Sequence, residues 1–257
     1  MEIDPSSRSP RRFSRLDASY VTLIPVLTRS PLAVMTTFPR EGLVERSQET
    51  PWGVCVHTTG SGVPTAAQRS GRTPLEIATE IYLRPDAPPH FTPFPHYVID
   101  ATGYLLQIAD EHIRARHVAI SDAERALYKS GGWRSKVSPL GLSLWQDRWG
   151  ATRNPLQLFP SRLPNEDFLG VELIPGLRAQ TNGSRFTLAQ YGRLSALLED
   201  VENRYGLELT GSRLVGHEDL SPLTRWNSGG GWDPGLLRQP PTFLTDQLKR
   251  RDGSAFG

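Results

Sequence analysis

The sequence predicts an α/β fold: a single domain with a central mixed β-sheet flanked by helices, an N-terminal arm and a long surface insertion. Three observations predict it. Short apolar runs with strand character alternate with longer runs of helical spacing. The strand-like runs end in glycine-rich or polar loops. Two capping boxes, Thr73 with Glu76 and Thr187 with Gln190, mark where helices begin. The composition agrees, since 257 residues at 37% hydrophobic supply a core without help from disulfides, and the single Cys, Cys55, cannot form an internal bridge. The 29 basic and 27 acidic residues nearly cancel, so no nucleic-acid partner is expected, and Lys249, Arg250 and Arg251 read as a solvated tail.

Residues 1–48 are rich in Ser, Pro and Arg and read as an extended arm, with one short strand at 21–27. The apolar-leaning stretch 20–38 is broken by Pro25, Arg29 and Pro31, which excludes a membrane span. Arg8, Arg11, Arg12 and Arg15 have the charge of an export signal's basic end. The apolar core that follows is short and lacks a clean cleavage site, so no signal peptide is expected. The folded domain is expected over 49–240 and a tail over 241–257.

Residues 53–57 (GVCVH) read as a strand that delivers His57 to the polar loop starting at Thr58. A helix follows at 74–83, with Thr73 as cap, Pro74 in the first turn and Pro85 beyond its end. Residues 96–100 (HYVID) and 104–109 (YLLQIA), joined by Ala101-Thr102-Gly103, form a hairpin. From 121 to 165 the pattern degrades into Gly, Pro, Ser and Trp, which reads as the surface insertion. A buried strand at 169–174 (LGVELI) precedes the clearest helix, where Leu194, Leu197, Leu198, Val201 and Tyr205 recur at helical spacing. A last strand at 213–216 ends on His217.

Three features stand where strands hand over to loops, the place where a sheet exposes functional side chains. His57 shares a strand face with Gly53 and Cys55, and a hydrogen-bonded structural His is the plainer reading of it alone. Glu172 interrupts an apolar strand, which is costly unless the carboxylate is paired, faces a wet cleft or lies on a solvent face. His217 ends a strand, and Asp233 sits in a loop held by Gly and Pro. Two His and one carboxylate are a common ligand set for catalytic zinc, whose fourth position is left to water, and a nearby Glu can take that water's proton. Zn²⁺ is therefore the expected cofactor. Cys55 reads as a small buried residue, His112 as a surface one, and Glu218 and Asp219 as turn or supporting groups. Trp133, Trp145 and Trp149 are expected to pack the insertion onto the sheet, and Trp226 and Trp232 to line a groove.

In combination these segments resemble the type 2 N-acetylmuramoyl-L-alanine amidases, the superfamily that includes the peptidoglycan recognition proteins. Residues 54–59 (VCVHTT) resemble the family's first ligand strand, and 96–103 (HYVIDATG) its central hairpin. Arg116-His117-Val118-Ala119 is similar to its substrate-groove histidine segment, and 165–172 (NEDFLGVE) to the stretch carrying the catalytic Glu. Residues 214–222 (LVGHEDLSP) and Asp233-Pro234-Gly235 resemble its second and third ligand segments. The resemblance implies His57, His217 and Asp233 as zinc ligands and Glu172 as the group that activates water. It implies His117 in the muropeptide groove, with Thr58, Arg225 and Trp232 also placed on the substrate side. Gly231 stands where bacterial members carry a Lys, which leaves the oxyanion to Arg225, to backbone amides or to the zinc itself, and Pro95 stands where phage members have a Tyr.

The implied reaction is zinc-dependent hydrolysis of the amide between N-acetylmuramic acid and L-alanine of the stem peptide. A non-catalytic peptidoglycan-binding module and a zinc peptidase acting on stem peptides are the alternatives. The implied partner is peptidoglycan or a soluble muropeptide. Without an export signal, the expectation is synthesis in the cytoplasm and delivery to the periplasmic wall by phage lysis or injection as an effector, with cytoplasmic recycling of wall fragments as the other route. An injected toxin would bring an immunity protein and a secretion machine as partners.

Overall fold

The computed structural model describes residues 30–35, 44–58, 62–82, 94–161, 163–174 and 186–225. The strand expected at 21–27 and the tail lie outside the described residues.

Among the described residues six strands form one mixed sheet: β1 (Val34–Met35), β2 (Gly53–Thr58), β3 (Tyr97–Ile99), β4 (Leu105–Gln107), β5 (Phe168–Leu173) and β6 (Leu214–Gly216), in the order β1-β4-β3-β5-β2-β6. Only the β3–β4 pair is antiparallel. Its turn forms where the sequence places it: the Asp100 carboxylate accepts from the backbone N–H of Thr102 and Tyr104, and Gly103 takes φ +81°, a conformation other residues rarely adopt.

The helices are α1 (Gly62–Ser70), α2 (Pro74–Tyr82), α3 (Asp122–Ser130), α4 (Pro139–Trp149), α5 (Pro164–Asp167), α6 (Leu188–Tyr205), α7 (His217–Leu220) and α8 (Pro222–Arg225). Strand alternation sorts the core. Val54, Val56, Tyr97, Ile99, Leu169, Val171, Leu173 and Leu214 face α6, which meets them with Leu194, Leu197, Leu198 and Val201. The expected capping boxes are present at Thr73–Glu76 and Thr187–Gln190, and α6 ends at Gly206 in the left-handed conformation. On the other face, Ala78 and Tyr82 of α2 cover Val98, Leu106 and Ile174. A separate aromatic cluster covers Cys55, Phe168 and Val215. The site lies on this face.

That aromatic cluster corrects the expected surface insertion at 121–165. Its residues build α3, α4, α5 and two 3₁₀ turns, Gly132–Ser135 and Pro155–Gln157. Trp133, Trp145, Leu158 and Phe159 are buried, with Trp149 packed against them, so the segment is a second half of the core. The three tryptophans do pack as expected. The helices escape a periodicity reading because α3 and α4 span only 9 and 11 residues and Gly131, Pro139 and Gly150 punctuate them. Helix α1 is likewise additional to the loop expected after His57. It begins at Gly62, directly after polar residues that carry no apolar stripe.

Two pieces of the stretch before residue 48 have definite places. Val34–Met35 pairs with Leu106–Gln107 at the sheet edge. Arg46 is buried, and its guanidinium donates to the carbonyls of Glu166 and Phe168, while burial lowers its pKa to about 10.

The sheet is tied to the end of α6 by one buried carboxylate. Glu111 accepts from Tyr97 Oη–H, from both terminal nitrogens of Arg204 and from Tyr205 Oη–H at 2.8 Å. Burial, then the Glu111 charge, pushes both phenol pKa values upward, so both stay donors across the physiological range. Among the described residues no helix is long and apolar enough to cross a membrane.

Candidate active site

Register brings the candidate residues into one row. Glu172 of β5 pairs with His57 of β2, and Val98 of β3 pairs with Glu172 from the other side. Strand β6 pairs Gly216 with Val56, so His217, the next residue, stands level with His57. Paired residues on neighbouring strands project to the same side roughly 4.8 Å apart. The row Val98, Glu172, His57, His217 therefore lies at the carboxyl ends of four mutually parallel strands, where open α/β sheets present their ligand sites.

The two histidines meet edge to face. Their Nδ1 atoms are 2.9 Å apart and their rings lie at 76°. His57 is buried and His217 half-buried. Glu172 is 8% exposed, which removes the reading in which it points into water. A carboxylate held this far from solvent in register beside an imidazole is the kind of group that serves in proton transfer.

His217 owes its position to a short capped turn. Asp219 accepts from the backbone N–H of Gly216 at 2.7 Å and from Trp149 Nε1 at 2.7 Å, and forms an ion pair with Arg148 at 3.2 Å. Trp145 Nε1 donates to its carbonyl. Asp219 thus supports the turn, as expected of a group beside the histidine, and the helical segment 121–165 supplies its partners.

One row deeper, Gly170 pairs with Cys55, and the backbone N–H of Gly170 donates to His96 Nδ1 at 2.9 Å. The ring of His117 lies over Gly170, where a Cβ would come within 2.5 Å of its Cγ. Only Gly leaves that space. His117 is buried, not open to a groove. Its Nδ1 lies 2.9 Å from His57 Nε2 and its Nε2 lies 3.0 Å from the Phe168 carbonyl. Burial lowers its pKa to about 3 and holds that of His96 well below the usual histidine value, so both rings are neutral near pH 7. Asn165 fixes this segment from the side. Its Oδ1 accepts from the N–H groups of His117 and Val118, and its Nδ2 donates to the Val118 carbonyl.

The structure thus assembles His57, His217, Glu172 and His117. Thr58 closes β2 beside them, half-buried. The side chain of Arg225, together with Trp226, Trp232 and Asp233, lies outside the described residues. His112 is exposed, as expected, and Cys55 is wholly buried in the core. The roles of His96, Asn165 and Gly170 were not anticipated. A glycine inside an apolar strand two residues before Glu172 is the signal that points to one of them, because it marks a close approach.

The donor set suits zinc. Two imidazole nitrogens 2.9 Å apart can both reach an ion at the usual Zn–N distance of about 2.0–2.1 Å. Cys55, His57 and His117 also bring one donor atom each within 4.8 Å of one another, but all three are buried. His217 of the strand-end pair is half-buried instead, and it stands at the carboxyl end of its strand.

The family model for N-acetylmuramoyl-L-alanine amidase (Amidase_2) matches residues 47–236, a span that includes every candidate ligand and Glu172. No curated protein matches the chain. Among solved structures, a selenomethionine derivative of AmpD is 18% identical, with 85% of this chain and 96% of that chain covered and a TM-score of 0.41. Staphylococcus aureus hydrolase AmiA in complex with its ligand is 11% identical, with 86% of each chain covered and a TM-score of 0.40. The endolysin amidase LysCS from Clostridium intestinale URNW is 12% identical, with 84% of this chain and 95% of that chain covered and a TM-score of 0.37. The family match spans most of the sequence, and the chain belongs to the N-acetylmuramoyl-L-alanine amidase family as a peptidoglycan amidase.

Proposed function

We propose that the protein is a zinc-dependent hydrolase that cuts the amide between the lactyl group of N-acetylmuramic acid and L-alanine of the stem peptide. The observation that carries this reading is the Nδ1–Nδ1 approach of His57 and His217 at 2.9 Å, with Glu172 in register beside His57. His57 and His217 would hold the zinc, with Asp233 as the third ligand. When bound, zinc supplies Lewis acidity toward the amide carbonyl and lowers the pKa of water.

Glu172 takes the proton from the attacking water as the new C–O bond forms. It returns that proton to the nitrogen as the C–N bond breaks, so the amine leaves neutral. Its place in a buried row beside His57 keeps bulk water from competing for the proton. Thr58, Arg225 and Trp232 are proposed on the substrate side. His117 is not, because its ring is enclosed.

The test is mass spectrometry of the products from purified muropeptides. The expected products are a stem peptide with a free N-terminal L-alanine and a muramic acid with a free lactyl carboxylate. Cleavage within the stem peptide, with the lactyl amide intact, would show a peptidase instead. Running the same digestion on intact sacculi and on soluble anhydro-muropeptides assigns the substrate size and separates wall lysis from recycling.

A further inference from the structure

We infer that His117 is a positioning residue that fixes the tautomer of His57, and so decides which nitrogen of His57 is offered to the metal. The inference rests on the zinc reading above and deepens it.

A carbonyl oxygen only accepts, so the 3.0 Å contact with the Phe168 carbonyl puts a hydrogen on His117 Nε2. In a neutral imidazole the other nitrogen is then bare, and His117 Nδ1 is an acceptor. It lies 2.9 Å from His57 Nε2, so His57 must carry its hydrogen there. That leaves the lone pair of His57 on Nδ1, the atom that faces His217 Nδ1. The direction is set by the Phe168 carbonyl, which cannot be reversed, and is passed through two rings at right angles, 89° apart.

The surroundings hold this relay in place. Gly170 leaves room for the His117 ring, Asn165 clamps its backbone, and Arg46 donates to the same Phe168 carbonyl. Metal-binding histidines commonly donate their second N–H to a carboxylate or a carbonyl, and loss of that partner weakens metal binding. Here a second imidazole takes that place and extends the connection to β5, the strand that carries Glu172. The stretch before residue 48 thereby reaches the site through Arg46.

The test is nitrogen NMR of the metal-free wild-type protein labelled at histidine. Long-range proton–nitrogen correlations are expected to show His57 and His117 both protonated on Nε2 and bare on Nδ1. A hydrogen on His57 Nδ1 would overturn the inference. In zinc titrations against a competing chelator, His117→Phe is expected to weaken binding about 10- to 100-fold. His117→Asn keeps an oxygen acceptor near the Nδ1 position and should recover most of that loss. Equal loss in both variants, or no loss in His117→Phe, counts against the relay. Cobalt substituted for zinc should show no thiolate charge-transfer band, because Cys55 is not a ligand. Such a band would place the metal on Cys55, His57 and His117 and overturn the inference. Should the wild-type protein take up no zinc, the zinc reading fails, while the tautomers of the metal-free protein still decide this inference. They also decide it if His117→Phe does not fold.

Discussion

Replacing Glu172 with Gln is expected to lower amidase turnover by about 10²–10⁴-fold, while the fold and zinc uptake stay unchanged. Gln has nearly the same shape but cannot take a proton from water. The position is not needed for strand pairing, because β5 is held by its backbone ladder to β2 and β3. Removing a charge from a site only 8% exposed also spares the protein the cost of keeping it there. Three measurements check this together: release of stem peptide, zinc content by elemental analysis, and the urea midpoint. Turnover within tenfold of wild type would remove Glu172 from the proton-transfer role.

The second large effect is on stability. Glu111→Ala is expected to destabilise the fold by about 2–4 kcal/mol, because two hydroxyls lose a buried acceptor and a half-buried guanidinium loses one of its two carboxylates. Glu111 is 1% exposed and is the common acceptor for Arg204, Tyr97 and Tyr205. Its loss leaves two hydroxyls and the terminal nitrogens of Arg204 at the sheet–α6 junction without their acceptor, while Arg204 Nε keeps its bond to Asp200. Urea unfolding followed by tryptophan fluorescence measures the change. Activity per folded molecule should be unaffected, because the network lies on the α6 side of the sheet and the site on the other. A loss below about 1 kcal/mol would mean that water replaces the carboxylate, as at an exposed pair.

Much of the site was legible in the sequence because strand alternation and loop chemistry are local. His57 closes an apolar strand before a polar loop, Glu172 breaks an apolar strand, and His217 follows a strand ending in Gly. Each could be named from its neighbours, although only the fold brings the three into one row. The hairpin and α6 were legible for the same reason, a turn sequence in one case and a long stripe with a capping box in the other.

What escaped reading is non-local. Nothing near Arg46 says that its guanidinium will reach two carbonyls about 120 residues away. Val34–Met35 is too short to show a period. The 121–165 segment carries its own start signals, since Ser121 with Glu124 is a capping box for α3 and Asn154 with Gln157 one for the second 3₁₀ turn. Their apolar faces, however, are completed by tryptophans on separate turns, which no single window shows. The resemblance sets His117 in the substrate groove, whereas its ring is enclosed, and that burial depends on Gly170, a residue of another strand.

The central claim is that amide cleavage depends on a zinc ion held by His57 and His217. The most direct test is to strip the protein with a chelator, remove the chelator, and follow stem-peptide release from a purified muropeptide before and after adding one equivalent of Zn²⁺. Release is expected to cease in the stripped protein and to return with zinc, and not to return in His217→Ala. Undiminished release from protein shown to be metal-free would contradict it.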